Sequence, residues 1–471
     1  MSLPNTSRTR EQRERALAGV RRLFFLGVGG VHMWALAMLA KERGYDVVGA
    51  DRAEGEYVGR LRAAGIPVFV GDVAAALAAL RQADVLIYTL AISPEDPLYR
   101  AAAATGKTLF SRADFLGFLM DAAPTRICVA GCHGKSTTTA LLCEMLWNAG
   151  REPTVLCGAK MRQFDSSLSL GGGALFVAEA CEYRDSFLCL SPTLGVVLNV
   201  GHDHADYFPD LAAVKRSFAQ FARQSEGILV NADDDAAMEA TAEARGRRMT
   251  FGLSSAAMLR AEKIVFSEGT GRFSLTFEEK HVTDVALQIP GRHNIYNALA
   301  AAGAALLCGL SPQEVCEGLA RFRGAARRFE YKGRLCGARV FDDYAHHPDE
   351  ITATLQTARE MVAAGGRLFA VFQPHTYTRT AALWGELCEA LRLADRILLA
   401  DIYAAREAPL PGVTSRHLAA AVGTCATYHA ALPELATRLA EELAPNDLLL
   451  VMGAGDIDVI FREFSKKDFT L

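Results

Sequence analysis

Short apolar runs that break off at glycine or at a polar cluster alternate, along most of the chain, with stretches whose apolar residues recur every three to four positions. "LFFLGVGG" (23–30) reads as a buried strand running into glycines, "VHMWALAMLAKERG" (31–44) as a helix closed by Gly44, and "DVVGAD" (46–51) as a second strand. "IPVFVGD", "AAALAALRQ" and "DVLIYTLA" continue the alternation. A second start follows Pro124: "TRICVAG" is a strand, "KSTTTALLCEMLWNAG" a helix closed by Gly150, and "ALFVAEA" and "LGVVLNV" are further strands. A third opens near "RRFEYKG" and carries strands at "GARVFDDYA", "RLFAVFQP", "RILLADIY" and "DLLLVMGAG". Strand–helix–strand alternation requires crossover connections and so predicts largely parallel sheets flanked by helices. The expected fold is α/β in three domains, 1–122, 123–325 and 326–471, without a fixed short repeat.

Composition narrows the function. The chain has 471 residues, 51% hydrophobic and 22% charged, enough for several well-filled cores. The net charge of −4, with no basic run beyond "SRTREQRERA" (7–16), argues against a nucleic-acid partner. No apolar run reaches the ~18 residues of a membrane span, so no membrane insertion is expected. The polar N-terminus lacks a signal peptide's apolar core. Eleven cysteines, an odd number without a C-x-x-C pair, suit a reducing compartment, and a cytoplasmic protein is expected.

Four constellations carry chemistry. Gly27-x-Gly29-Gly30 ends a strand and opens a helix, where backbone amides favour a diphosphate, and Asp51 closes the next strand, where a ribose-binding acid commonly sits. His32 stands where a dinucleotide fingerprint needs its third glycine, which leaves a nicotinamide cofactor, another diphosphate ligand or a tight structural turn as readings. Next, "VAGCHGKSTTTALL" (129–142) offers a triphosphate what it needs: glycine-loop amides, Lys135 to neutralise charge, and the Ser136 hydroxyl for Mg²⁺. The alternative is a helix capped by Ser136 or Thr137. The usual nucleotide loop has a glycine where this chain has Val129.

The third constellation lies past two later strands: Glu179 and Glu182 in "VAEACEYRDSFL", then Asn199, His202, Asp203, His204 and Asp206 in "NVGHDHADYF". In a parallel sheet these strand ends face the crevice of the phosphate loop, and carboxylate, imidazole and phosphate oxygens suit Mg²⁺. His202, His204 and Asp206 also fit a hydrolase zinc motif, H-x-H-x-D-H, but its final position is Tyr207. A plain helix cap at Asp203 is the lesser alternative. The fourth is "FDDYAHHPDEI" (341–351) with "FQPHTYTRT" (372–380), where His346, His347, His375 and Arg379 would converge near anionic groups, simple capping being the alternative.

Together these segments resemble the Mur ligases, ATP-dependent amide ligases of bacterial peptidoglycan synthesis. The match runs through "GVGGVHM", "GCHGKSTTT", "EACEYRDSF", "NVGHDHADYF", "GRHNIYNALAA", "RRFE", "DDYAHHPDEI", "FQPHTYTRT" and "VMGAGDID". The resemblance implies a Rossmann-like domain for the UDP substrate, a P-loop-type central ATPase domain, and a Rossmann-like C-terminal domain that brings the amino acid. It implies phosphorylation of the carboxylate of UDP-N-acetylmuramate by ATP and attack of the L-alanine amine on the acyl phosphate. The alternative acceptor is an intact recycled peptide.

By the same resemblance Gly29, Gly30, His32, Asp51 and Ser93 face the UDP substrate, and Gly131, His133, Gly134, Lys135, Ser136 and Thr137 hold ATP. Asn294, in "GRHN" beside His293, contacts adenine, and Arg328 and Asp343 complete the nucleotide site. Mg²⁺ sits on Ser136 and Glu179, with a second near His204, and Glu182 acts from behind. Tyr344 and His375 meet substrate, and Lys135, His204, His346, His347 and Arg379 serve catalysis. A monomer or homodimer is expected. The family usually has Thr where this chain has Cys132 and Ser136, and many alanine-adding members have Arg where it has Thr376. Cys132, beside Lys135 and a helix N-terminus, is expected to have a lowered pKa if reactive, or to be inert if tucked under the loop.

Overall fold

A computed structural model describes residues 3–204, 207–405, 407–465 and 468–470. Three sheets are present, as the alternation predicts. The first has the parallel order Val68–Val70, Asp46–Asp51, Arg22–Leu26, Val85–Tyr88, Thr108–Ser111. The second runs Arg247–Gly252, Gly227–Asn231, Leu194–Val197, Thr125–Ala130, Leu175–Ala180, Thr154–Met161, Ser166–Ser169, parallel except for its last pair. Three consecutive strands, Leu259–Ser267, Thr270–Phe277 and Lys280–Pro290, continue that order beyond Arg247–Gly252. The third sheet runs Ala426–Tyr428, Arg396–Leu399, Leu368–Phe372, Leu448–Met452, Ala338–Asp343, Glu330–Leu335, Phe469–Thr470, and its last two pairings are antiparallel. The crossover pattern therefore holds throughout the first sheet and at the centres of the other two, and gives way to antiparallel pairing at edges of the second and third. Among the described residues no helix is long and apolar enough to cross a membrane.

The chain forms two compact units. One comprises Met1–Ala261, Leu275–Thr283 and Tyr296–Leu319; the other comprises Glu262–Ser274, Asp284–Ile295 and Ala320–Leu471. The first unit thus contains the whole first sheet and most of the second. Its joining element is the helix Val31–Glu42, which buries Met33, Trp34, Ala35, Leu36, Ala37, Leu39 and Ala40. A helix apolar nearly all round needs cover on more than one side. Phe25 and Ile87 of the first sheet and Leu156, Leu168 and Phe176 of the second lie in one continuous core with it. Trp34 stacks on Tyr57 at 5.3 Å, and its indole N–H donates to Ser167 Oγ at 3.3 Å. This packing carries the Gly27–Gly30 turn to the edge of the second sheet. The second unit packs apolar layers on both faces of the third sheet, with Phe372, Leu450 and Ile351 in one and Val371, Val451 and Leu439 in the other.

Behind the phosphate loop, the helix Lys135–Asn148 packs against the helix Pro312–Arg321 at Gly318. A Cβ on Gly318 would lie 2.7 Å from Met145 Cα and 2.5 Å from its Cγ. Helix propensity favours alanine over glycine by about 1 kcal/mol, but overpacking costs about 1–3 kcal/mol, and the obstacle here includes backbone. Gly318→Ala is therefore expected to lower the melting temperature; a rise would show that the two helices lie farther apart than described.

Candidate active site

Three strands of the second sheet end at one level. Val129 pairs with Glu179, and Ala130 with Ala180 and Val197. Their following loops therefore share one edge: the glycine loop, the segment from Cys181 to Asp185, and Asn199 to His204. Gly131 at φ 147° and Gly134 at φ 85° hold backbone that a side chain would strain, and Leu198 Cβ lies 2.9 Å from where a Cβ on Gly131 would stand. Asn199 clamps the loop from both directions. Its Oδ1 accepts from the His133 N–H at 2.8 Å, and its Nδ2 donates to the His133 carbonyl at 3.1 Å. The helix Lys135–Asn148 begins at Gly134 with no side-chain cap, contrary to the Ser136/Thr137 capping alternative. A helix start without a side-chain cap points its first amides at whatever lies beyond, and an anion is the natural partner.

Lys135 donates to Glu182 Oε2 at 3.0 Å, to Oε1 at 3.2 Å, to the Cys132 carbonyl at 3.1 Å and to the Gly131 carbonyl. Burial alone would pull the ammonium pKa down; the facing Glu182 carboxylate reverses this, and the net displacement is upward. Burial would likewise raise Glu182, but Lys135 and then His204 hold it below the usual carboxylate range. His204 Nε2 lies 3.6 Å from Glu182 Oε1 and 3.8 Å from Asp203 Oδ2, and the ligand atoms of Glu182, Asp203 and His204 all fall within 4.8 Å of one another. Glu182 thus stands in direct contact with Lys135, closer to the loop than its expected supporting place. Glu179 instead turns to Gly158, whose N–H donates to its Oε1. A Cβ on Gly158 would stand 2.8 Å from Glu179 Oε2 and 3.1 Å from Ser136 Oγ, so glycine leaves open the space onto which this carboxylate and this hydroxyl converge.

On the first sheet, Gly27 adopts φ 79° and Gly30 caps the following helix. His32 is half-buried there and its pKa falls to about 4, through burial first and Arg112 next, opposed by Glu179. The glycine turn and the Glu179 carboxylate are therefore within electrostatic reach. Asp51 turns inward: its Oδ2 accepts from the Gly29 N–H at 2.7 Å, and its Oδ1 from Arg52 at 2.7 Å. It shapes the turn. Ser93 Oγ accepts from the Glu95 N–H at 3.2 Å in the loop past Val85–Tyr88. His202 bonds the Phe208 carbonyl at 3.0 Å, and Asp206 lies outside the described residues.

In the second unit, His346 meets His375 edge-on at 5.9 Å and lies 3.2 Å from Glu350 Oε2. His375 stacks on Tyr403 and lies 3.4 Å from Arg379. Burial, His346 and Arg379 together lower its pKa to about 4. His347 departs from this group: it caps the helix Pro348–Met361 through Nδ1, in a capping box with Glu350. The guanidinium groups of Arg327 and Arg328 lie over the Tyr344 ring at 5.2 and 5.1 Å. Asp343 accepts from the N–H groups of Phe329 at 2.7 Å and Ala345 at 2.8 Å, and burial lifts its pKa to about 6 against the pull of Arg328. Asn294 donates to the Pro290 carbonyl at 2.6 Å. Thr376 holds φ 65°, a strained start for the helix Tyr377–Ala382 that carries Arg379.

Comparison with known proteins agrees with this geometry. Residues 22–123, 129–305 and 327–455 match, in order, the Mur ligase family catalytic domain, the Mur ligase middle domain and the Mur ligase glutamate ligase domain. The chain belongs to the Mur ligase family. A UDP-N-acetylmuramate–L-alanine ligase of Alkaliphilus metalliredigens is 36% identical over 447 residues, 94% of this chain and 96% of that one. The crystal structure of a UDP-N-acetylmuramate–alanine ligase from Thermotoga maritima is similar with a TM-score of 0.79 and 27% identity, covering 95% and 98% of the two chains. A murein peptide ligase of Psychrobacter arcticus gives 0.73 and 25%, covering 94% and 97%.

Within this Mur ligase, the expectation of an activated Cys132 is overturned in favour of the inert alternative. The thiol is 8% exposed, donates to the Gly201 carbonyl at 3.3 Å and accepts from the Gly201 N–H at 3.1 Å. Burial, then Glu182, pushes its pKa well up, and the opposing Lys135 does not compensate. Sequence reading also missed Asn297, whose Oδ1 accepts from Thr138 Oγ1 at 3.3 Å and sits against Gly134. Its signal was present in "GRHNIYNALAA", one helical turn beyond Asn294.

Asp342 supplies a test of the second unit's electrostatics. Burial raises its pKa to about 7, against Arg327, with Asp458 adding to the rise and Lys332 opposing it. A carboxyl whose pKa is raised on folding binds its proton more tightly in the native state. Its stabilising contribution is complete below the unfolded value near 3.8 and is lost as pH rises through about 7. The melting temperature of the parent, measured from pH 4 to pH 8, is expected to fall relative to that of Asp342→Asn; parallel profiles would mean that Asp342 titrates normally.

Proposed function

We propose that this chain joins L-alanine to UDP-N-acetylmuramate by way of an acyl phosphate: the carboxylate takes the γ-phosphoryl group of ATP, releasing ADP, and the amine then displaces phosphate. It is an ATP-dependent amide-bond-forming ligase. The observation that carries the reading is the glycine loop whose Lys135 is fixed by Glu182 at the same sheet edge as Glu179, within electrostatic reach of His32 on the first sheet. Phosphoryl transfer to a carboxylate brings two anions together, so positioning and charge neutralisation dominate its barrier. Lys135 supplies a fixed positive charge, the amides of the Gly134 helix start orient phosphate oxygens, and the Gly29–Gly30 turn receives the diphosphate of the UDP substrate. The Ser136 hydroxyl and Glu179 carboxylate converge on open space beside Gly158, a hard oxygen pair suited to Mg²⁺. Bound there, Mg²⁺ would neutralise phosphate charge; Glu182, Asp203 and His204 form a second cluster able to hold a cation.

In the second unit, Arg328 and Asp343 serve the nucleotide together with Asn294, while Tyr344, His346, His375 and Arg379 receive the amino acid and its developing charge. His347 acts through the helix it caps. Three domains, 1–122, 123–325 and 326–471, fit this reading and are supported by the family matches over 22–123, 129–305 and 327–455, and we place the reaction in the cytoplasm. L-Alanine is favoured over an intact peptide by the names of the relatives at 36% identity and by the higher TM-score of the alanine ligase.

Phosphate release from ATP with UDP-N-acetylmuramate should be strong with L-alanine and weak with the tripeptide L-alanyl-γ-D-glutamyl-diaminopimelate; turnover with the peptide alone would replace this acceptor assignment. Lys135→Ala should lower the melting temperature, since Glu182 loses its partner, and lose turnover by several kcal/mol of barrier, on the order of 10²-fold or more. Near-parental turnover in that variant would remove the loop from the mechanism.

A further inference from the structure

The basic N-terminal stretch, which neither nucleic acid nor substrate accounts for, is folded into the first unit. Arg13 is 2% exposed, and its guanidinium donates to Asp114 Oδ1 at 2.8 Å, to Asp121 Oδ2 at 2.9 Å and to the Cys189 carbonyl. Arg8 donates to Asp114 Oδ2 at 2.6 Å and to the Leu109 carbonyl at 2.9 Å, over the Phe110 ring. The Tyr88 hydroxyl donates to the Pro4 carbonyl at 2.7 Å, and Thr6 Oγ1 accepts from the Ser111 N–H at 2.8 Å. One side of the arm is thereby fastened to the first sheet and the helix Arg112–Asp121.

Its other side grips the loop that follows Glu182. Asn5 Nδ2 donates to the Arg184 carbonyl at 2.5 Å and to Ser186 Oγ at 3.2 Å, and Cys189 Sγ donates to the Thr6 carbonyl at 3.4 Å. Arg184 and Asp185 are consecutive non-glycine residues at φ 52° and φ 57°, a left-handed conformation that must be held from outside. From Arg184 the contacts lead to the phosphate loop. Its guanidinium lies over the Tyr183 ring, that ring packs on His204 at 4.6 Å, and His204 faces Glu182, the partner of Lys135.

We propose that the N-terminal arm, residues 3–17, is a positioning element for phosphoryl transfer: through Asn5 it holds the left-handed Arg184–Asp185 turn, through Arg13 it holds the Cys189 end of the same segment, and so it sets the placement of Glu182 against Lys135. The inference rests on the role given above to the Lys135–Glu182 pair. Arg13→Ala would take a guanidinium from the buried Asp121 and leave Asp114 with Arg8, a loss that could unfold the chain, so Asn5 is the informative residue. Asn5→Ala in the full-length chain should lower kcat at least tenfold while the KM values for ATP, UDP-N-acetylmuramate and L-alanine stay within threefold. Arg8→Ala, which loosens the arm only on the side of the first sheet, should lower the melting temperature and keep kcat within twofold. Glu182→Gln provides the reference and should lose turnover. Parental kcat in Asn5→Ala beside an inactive Glu182→Gln would overturn the arm's role and leave the site reading standing. An equal loss in Arg8→Ala and Asn5→Ala would reduce the arm to a stabilising strut. Full activity of Glu182→Gln would overturn the site reading itself, and the inference with it.

Discussion

A half-buried ammonium facing a fully buried carboxylate is the contact on which the phosphate-loop edge depends. Lys135 follows a left-handed glycine and ends against Glu182, whose side chain is 2% exposed. Either charge alone in that place would cost several kcal/mol, and removing one partner of such a pair typically costs about 3–5 kcal/mol. The pair is tolerated because three parallel strands end at one level, so the glycine loop, the Glu182 segment and the His204 loop arrive together. Asn199 then fixes the loop backbone, and Glu182 gains His204 as a further partner. The geometry that can receive a triphosphate is thus a consequence of sheet register and of one compensated charge.

What the sequence revealed followed from local rules with strong physical causes. Strands that run into glycine and then into a periodic apolar stretch were legible because strand, turn and helix each impose a different period. The meander over 259–290 was not. Its hairpin turns place Glu268 and Gly269, then Glu278 and Glu279, at positive φ, the backbone of a type I′ turn. The usual signal for such a turn is Asn-Gly or Asp-Gly, and a Glu-Glu pair gives no warning. Half-exposed strands there also lack the continuous apolar run that announced the parallel centres.

The candidate site was legible in its residue types and less so in its contacts. Asp51 stands where a ribose acid is expected, and its contacts within the chain, to the amides of Gly29 and Arg52, come from the glycine turn beside it and from its own loop. Cys132 illustrates a competition of magnitudes. A helix N-terminus and an ammonium favour a thiolate by amounts that fall off with distance and screening, whereas desolvation acts on the whole charge. At 8% exposure desolvation prevails. Neither outcome can be read from neighbours in sequence, because both depend on what the fold places overhead.

The two units use related devices to opposite effect. In the first, Glu182 receives a full ammonium at hydrogen-bond distance, and its pKa falls despite burial. In the second, Asp342 lies 3.7 Å from Arg327 Nε, while that guanidinium donates to the Gly453 carbonyl at 2.5 Å and the Gly455 carbonyl at 2.8 Å. Asp342 meets this guanidinium only at the longer distance, the hydrogen bonds to Asp343 at 2.7 and 2.8 Å come from neutral backbone N–H groups, and burial wins: the two rise to about 7 and about 6. A carboxylate held permanently ionised forms a constant electrostatic frame, which suits a loop that must keep its lysine in place. Carboxyls near their titration point can instead take up or release a proton as a charged group approaches. A cationic donor at hydrogen-bond distance, more than the amino-acid type, separates these two behaviours.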